Sequence, residues 1–244
     1  MASDIATNQN YLPPENCKSQ NYLDSVEQWT DSKLMKLNKE KTKVIIFNFT
    51  YNYQFSTRLY LENSLLEIVQ QTKLLGTIIT SDLSWWENTN LITRKAYQRM
   101  EIIRKLCNFN VAVSDLTLLY TLYVRSVLEF NCCVWNFDLT QGQENDLERV
   151  QKIACKIILQ ESYSSYETAL TKLNLDSLKD RRNSLCLKFA QKCIKNEKTK
   201  NMFPLSEENH HYTRIQEKFK VKHANTDRLK NSAIPQMQRL LNAC

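Results

Sequence analysis

Lys36-Leu37-Asn38-Lys39-Glu40-Lys41-Thr42-Lys43 runs straight into Val44-Ile45-Ile46-Phe47, and further on Lys73-Leu74-Leu75-Gly76-Thr77-Ile78-Ile79 leads into Asp82-Leu83-Ser84-Trp85. These two segments decide the fold, because they are the last places where β-branched residues gather in short runs. Working upstream, Tyr22, Leu23, Val26, Trp29, Leu34 and Leu37 lie close to helical spacing. Residues 42–49 read as a compact strand. Residues 58–61 and 65–69 read as a hairpin across Glu62-Asn63-Ser64, and 74–80 as one further strand. Residues 21–80 are therefore expected to form a small α+β unit.

Downstream of Ser81 the period becomes helical. Ser84-Trp85-Trp86-Glu87 has the form of a capping box, in which a hydroxyl accepts from the third backbone N–H and the acid reaches back. The helix it opens should run to about Asn108. Ser114 is expected to cap a second helix through Leu118, Leu119, Leu122 and Val127. Thr140-x-x-Gln143 starts a third, with Leu147, Val150, Ala154 and Ile157 on one face. Ser164-x-x-Glu167 opens a short fourth. Asp176 begins a fifth, ending near Asn196, with Leu178, Leu185, Phe189 and Cys193 inward. Pro204 closes the helical body. The expectation is a mostly α chain: a disordered segment at 1–20, the α+β unit at 21–80, a helical region at 81–200, and a loosely ordered, polar and basic tail at 201–244. No internal repeat is present.

Composition narrows the function. Of 244 residues only two are glycine, Gly76 and Gly142, far below average usage. That excludes glycine-rich phosphate loops. The net charge of +7 is uneven. Residues 176–200 hold eight Lys/Arg against three Asp/Glu, and residues 201–244 hold seven against four. A basic C-terminal third on a near-neutral body points to an anionic partner, nucleic acid being the commonest; a merely solvated surface is the plain alternative. The eight cysteines form no C-x-x-C pair, and His210, His211 and His223 lie in the tail. No metal site is expected from such spacing, and Cys186 and Cys193 read as core filling. The opening residues are polar, and no apolar run approaches a membrane span. An intracellular chain with free thiols, no cofactor and no membrane partner is the expectation.

Six segments in order carry a family resemblance. They are Trp29 with Met35-Lys36-Leu37-Asn38-Lys39-Glu40-Lys41-Thr42-Lys43-Val44; Leu74-Leu75-Gly76-Thr77-Ile78-Ile79 with Ser81-Asp82-Leu83-Ser84-Trp85; Lys95-Ala96-Tyr97-Gln98-Arg99-Met100; Tyr120 with Tyr123-Val124-Arg125-Ser126-Val127-Leu128-Glu129-Phe130 and Val134-Trp135; Leu147-Glu148-Arg149-Val150-Gln151-Lys152 with Ala154 and Lys156; and Leu173-x-Leu175-x-x-Leu178-x-x-Arg181-Arg182. Together the chain resembles the C-terminal part of reverse transcriptases from non-LTR retrotransposons of the jockey-like LINE group. The resemblance implies that residues 21–80 are a remnant of the polymerase palm and residues 84–160 a helical thumb lying along a template–primer duplex. It implies that Lys41 matches the lysine approaching the incoming nucleotide, and that Leu75 and Gly76 match the turn that holds the primer strand.

The chemistry of that family needs two metal ions clamped by carboxylates, and no Asp-Asp dipeptide occurs in this sequence. The expectation is a truncated, catalytically inactive piece that keeps at most duplex binding, with Lys41 an exposed lysine beside a strand. A helical structural or protein-interaction module is one alternative, and a portion of an active enzyme whose upstream palm lies outside this chain is another. Glu207 and Glu208 read as a solvated pair. Candidate nucleic-acid contacts, besides Lys41, Leu75 and Gly76, are Arg94, Lys95, Arg99, Arg104 and Lys105 on the first long helix, and Arg181, Lys188, Lys192 and Lys195 as a second stripe. Arg94 and Lys105 are about three turns apart and share a face. The partner would be an RNA–DNA or other duplex, bound weakly and without sequence preference. Trp85, Trp86 and Trp135 read as core or interface anchors, and Tyr51, Tyr53 and Phe55 as cover for a palm edge.

Overall fold

The computed structural model describes residues 18–49, 58–206, 218–221 and 223–243. It divides at Ser84 into two units. Most of 1–20, the aromatic trio Tyr51, Tyr53 and Phe55, and Glu207, Glu208, His210 and His211 lie outside the described residues.

The first unit opens with α1 (Lys18–Ser32), which begins and ends earlier than the apolar spacing suggests. Leu34, with φ 55°, takes the left-handed conformation that stops it. Its inward side is polar: Gln20 and Thr30 are buried, while Tyr22, Val26 and Trp29 are exposed. Gln20 acts as a substitute strand. Its Nε2 donates to the Tyr60 carbonyl at 2.8 Å, and its Oε1 accepts the Tyr60 N–H at 2.9 Å.

Three two-stranded pairs follow. β1 (Lys43–Val44) runs parallel to β4 (Glu67–Ile68), with Lys43 opposite and ion-paired to Glu67. The expected strand at 42–49 is thus reduced to two residues. β2 (Tyr60–Leu61) and β3 (Ser64–Leu65) form the expected hairpin. Its Glu62-Asn63 tip has φ 45° and 61°, the doubly positive pair whose twist suits flanking strands. The single strand expected at 74–80 is instead a second hairpin, β5 (Gln71–Leu74) on β6 (Thr77–Thr80), turning at Leu75-Gly76 with φ 47° and 92°. One glycine flanked by apolar residues hides such a turn, because the apolar run continues unbroken through it.

The second unit is helical: α2 (Trp86–Cys107), α3 (Val113–Leu119), a π-helical stretch Tyr120–Arg125, α4 (Ser126–Glu129), α5 (Cys132–Trp135), α6 (Gln141–Leu159), α7 (Tyr166–Leu173), α8 (Leu178–Lys195), α9 (Asp227–Asn231) and α10 (Ala233–Asn242). The Thr140/Gln143 capping box forms as read. Four other starts are shifted. Trp85, not Ser84, precedes α2, because the Ser84 N–H is taken by Asp82 Oδ1 at 2.9 Å. Ala112 precedes α3, leaving Ser114 inside the first turn. Ser165 with Thr168, one residue later than the Ser164/Glu167 pair, closes the box of α7. The start of α8 moves from Asp176 to Leu178, because Ser177 is its cap and accepts from the Asp180 N–H.

The core gathers Ile92, Ala96, Met100 and Ile103 of α2 with Leu147, Val150 and Ala154 of α6. Leu116, Tyr120, Val124 and Leu128 enter it from the chain between. A repeat of four residues drifts about 40° per step on an α-helix. The wider π stretch absorbs that drift and keeps all four facing inward. On α8 the buried face is Leu178, Arg182, Cys186, Ala190 and Cys193, so Leu185 and Phe189 are turned aside from their expected inward positions. Trp85 and Trp135 are buried anchors and Trp86 is exposed. The described part of the tail closes a further cluster, in which Phe203, Phe219 and Met237 pack with Ala190 and Cys193.

Candidate nucleic-acid interface

Helices α2 and α6 lie side by side and run the same way. Gln143 Nε2 reaches Thr89 Oγ1 at 3.5 Å near their beginnings, and the Cys107 thiol reaches the Ile157 carbonyl at 3.4 Å near their ends. Parallel packing brings the basic residues of both last turns to one end. On α2 these are Arg104 and Lys105; on α6 the last turn holds Lys156, preceded by Lys152 and Arg149. Tyr97 lies between the two groups. It feels the positive charges of Arg149 and Arg104, although burial dominates and raises its phenol above the ordinary value.

Each residue of the candidate set has a place. Arg94 and Lys105 are exposed on the outer face of α2, as their spacing requires, with Asn90, Tyr97, Gln98 and Glu101 forming a shallow furrow around Arg94. Arg104 is exposed and ion-paired with Glu101. Lys95 is half-buried. Arg99 is committed elsewhere: its Nη1 donates to the Tyr123 carbonyl at 2.7 Å and its guanidinium lies 4.6 Å from the Tyr123 ring centre. Arg181 is likewise engaged, its Nε 3.1 Å from Glu129 Oε1, which also faces Arg125. Lys188, Lys192 and Lys195 form an exposed row along α8. In the first unit Lys41 is exposed in a turn where its N–H donates to Asn38 Oδ1. Leu75 sits at a hairpin tip with 85% of its surface open, a bulky side chain in a conformation that costs an L residue about 1–2 kcal/mol. Strain of that kind gathers where backbone shape serves a purpose.

The spacing argument missed Arg149, Lys152 and Lys156, which recur at i, i+3 and i+7 on the open face of α6. Lys152 and Lys156 lie over the rings of Tyr166 and Tyr163 at 5.1 and 5.4 Å. Among the described residues, none of Arg94, Lys105, Arg149, Lys152 and Lys156 is in an ion pair. Five such cations on two adjoining parallel helices present positive charge with donors free to meet phosphates.

The sequence is similar to a probable RNA-directed DNA polymerase from transposon BS of Drosophila melanogaster, with 25% identity over 167 residues. The likeness is to a reverse transcriptase. It covers 66% of this chain and 18% of that protein, so the chain spans less than a fifth of its relative's length. This agrees with the reverse-transcriptase resemblance carried by the six segments. No protein-family model and no solved structure matches the chain.

Side chains able to hold a metal also meet, although the cysteine spacing gave no reason to expect a metal site. Cys132, Cys133 and Cys186 place their sulfurs within 4.8 Å of one another. Among the described residues this is the one group of three or more potential ligands, and it is made of thiols rather than carboxylates. No described helix is long and apolar enough to cross a membrane.

Proposed function

We propose that this chain is the end-of-palm and thumb portion of a jockey-like non-LTR retrotransposon reverse transcriptase, and that it grips an RNA–DNA duplex through the basic faces of α2 and α6. DNA synthesis is not part of its own repertoire in this reading, since the sequence lacks the paired aspartates. The supporting observation is the parallel pairing of two helices that each present unpaired cations on their open side. Such a surface suits the A-form hybrid, which proteins hold by shape and phosphate contacts. Cations at helix C-termini also offset the helix dipole, so the same residues would have a structural use without any nucleic acid. A protein-binding bundle is the second reading, favoured by Leu118 and Leu122, one turn apart and both exposed.

A fluorescence-anisotropy titration of an RNA–DNA hybrid at several salt concentrations separates these readings. Five phosphate contacts would give a slope of log affinity against log salt of about −4.5. The triple variant Arg94→Ala, Lys105→Ala, Arg149→Ala should lose about three contacts and flatten the slope to about −2. Arg99 is left intact because it holds α2 to Tyr123. Equal slopes in the two proteins, or no binding at low salt, would favour the protein-binding bundle.

A further inference from the structure

The thiol cluster has no place in duplex binding, and its surroundings are unusual. Cys132 and Cys133 open the short helix α5 just after Asn131, whose φ of 52° turns the chain sharply inward. Cys186 comes from the middle of α8, more than fifty residues later in sequence. Cys132 and Cys186 are buried, and Cys133 is half-buried. The fold therefore assembles three sulfurs that no local motif announces.

Beside them lies a second oddity. Arg182, one turn before Cys186 on the same helix, has no exposed surface at all. Its Nε donates to Asn136 Oδ1 at 2.7 Å, but Nη1 and Nη2 have no hydrogen-bond partner. Among the described residues no carboxylate pairs with it; Glu148 and Glu144 act only at longer range, together with Cys132 and Cys186. A buried cation without a counter-charge is costly. Three neutral thiols do not supply one.

We propose that Cys132, Cys133 and Cys186 form a three-sulfur site for a thiophilic d10 cation of the zinc class, with Arg182 as its built-in counter-ion. The charge balance is direct. A divalent ion and three thiols give a trithiolate complex of charge −1 and release three protons, and the guanidinium cancels that charge. The geometry fits as well. Sulfurs bound to one zinc at about 2.3 Å stand about 3.8–4.0 Å apart, so a cluster already within 4.8 Å needs only a small contraction. All-sulfur donors select soft cations over magnesium or calcium. The half-buried Cys133 side gives an ion its way in.

Cd(II) is the probe, because its thiolate complexes absorb in the ultraviolet. The full chain, reduced with a phosphine and stripped of metal, is titrated with Cd(II) and then with Zn(II) in competition. One equivalent should saturate the charge-transfer band, and Zn(II) should abolish it. Cys133→Ser and Cys186→Ser should each weaken binding at least tenfold with helicity kept, while Cys107→Ala should bind as the wild type does. A measurement free of substitution accompanies this: alkylation mapped by peptide mass spectrometry with and without Zn(II). Protection confined to Cys132, Cys133 and Cys186 supports the site. No band, a band that survives both serine variants, or protection that spares these three cysteines would overturn it.

Discussion

Tyr120 has no exposed surface, and its hydroxyl donates to Gln151 Oε1 at 2.7 Å. Gln151, buried as completely, donates from Nε2 to the Tyr166 hydroxyl at 2.9 Å and to the Asp176 carbonyl at 2.8 Å, while Tyr166 donates to Glu148. Every member of this chain is paired, which is the condition for a polar network to hold a core together. Burial pushes both phenols up, and for Tyr166 the hydrogen bond to the Glu148 carboxylate adds to it. An unfolded tyrosine ionises near pH 10. The folded chain keeps two protons that the unfolded chain gives up, so this contribution is fully present below pH 10. It is lost as pH rises from there toward the folded values, by about 2.7 kcal/mol per pH unit for two groups. Urea unfolding at pH 8 to 11 should show this steep fall, and Tyr120→Phe with Tyr166→Phe should make it shallower. An unchanged alkaline slope in the double variant would contradict the assignment. At this scale the sequence was legible where one residue acts alone: Arg94 and Lys105 are as open as their spacing required. It was not legible where a side chain has a tertiary partner. Nothing local distinguishes Arg99 or Arg181 from their exposed neighbours, yet the Tyr123 carbonyl and Glu129 hold them.

Among the elements, the chain from Val113 to Glu129 shows what periodicity can and cannot reveal. Leu118 and Leu122 fit a helical face in sequence, yet they are 56% and 69% exposed, and the buried set is Leu116, Tyr120, Val124 and Leu128. The π stretch shifts the phase midway, and a scheme with 3.6 residues per turn has no means to anticipate it. Leu128→Ala should therefore cost about 2–5 kcal/mol, whereas Leu118→Ala and Leu122→Ala should each stay within about 0.5 kcal/mol. Chemical denaturation of the three variants checks the phase directly, and comparable losses at Leu122 and Leu128 would refute it. The same limit explains α8. Its extent from Asp176 to about Asn196 was legible to within two residues, and Leu178 and Cys193 do face inward, but Leu185 and Phe189 were wrongly included with them. The true face includes Arg182, a residue type that hydropathy places outside. The hairpin at Leu75-Gly76 escaped the strand pattern for a related reason, since Leu75 in a left-handed turn is a poor turn signal, although the family resemblance had marked a turn there. The first and second long helices, the Thr140 cap and the β2–β3 hairpin were legible because their local chemistry agrees with their tertiary setting.

Taken whole, the two units are unequal. Among the described residues before Trp85, Leu61 and Leu66 are the buried apolar side chains, and every strand is the edge of a two-stranded pair. Tyr22, Trp29, Phe47, Phe49, Leu65 and Leu74 are exposed there. Small cores and open edges make a segment marginal by itself and prone to pairing with other chains. From Trp85 onward the chain has a continuous core, and its C-terminal helices belong to it, because Phe203, Phe219 and Met237 cover Ala190 and Cys193 of α8. Limited proteolysis should therefore leave a resistant piece that starts near Trp85 and keeps α10. A chain of residues 85–244 should fold without the first unit, and one of residues 85–200 should be weaker. Burying each of those three large side chains is worth about 1.5–3 kcal/mol, an upper range when the unfolded chain is itself partly compact, so the shorter chain should lose about 3–8 kcal/mol. Thermal and urea denaturation of the two shortened chains measure that difference. Equal stability would mean that the tail helices lie on the bundle without supporting it, and a resistant piece beginning upstream of Tyr22 would mean that the first unit is packed more firmly than its two buried leucines imply.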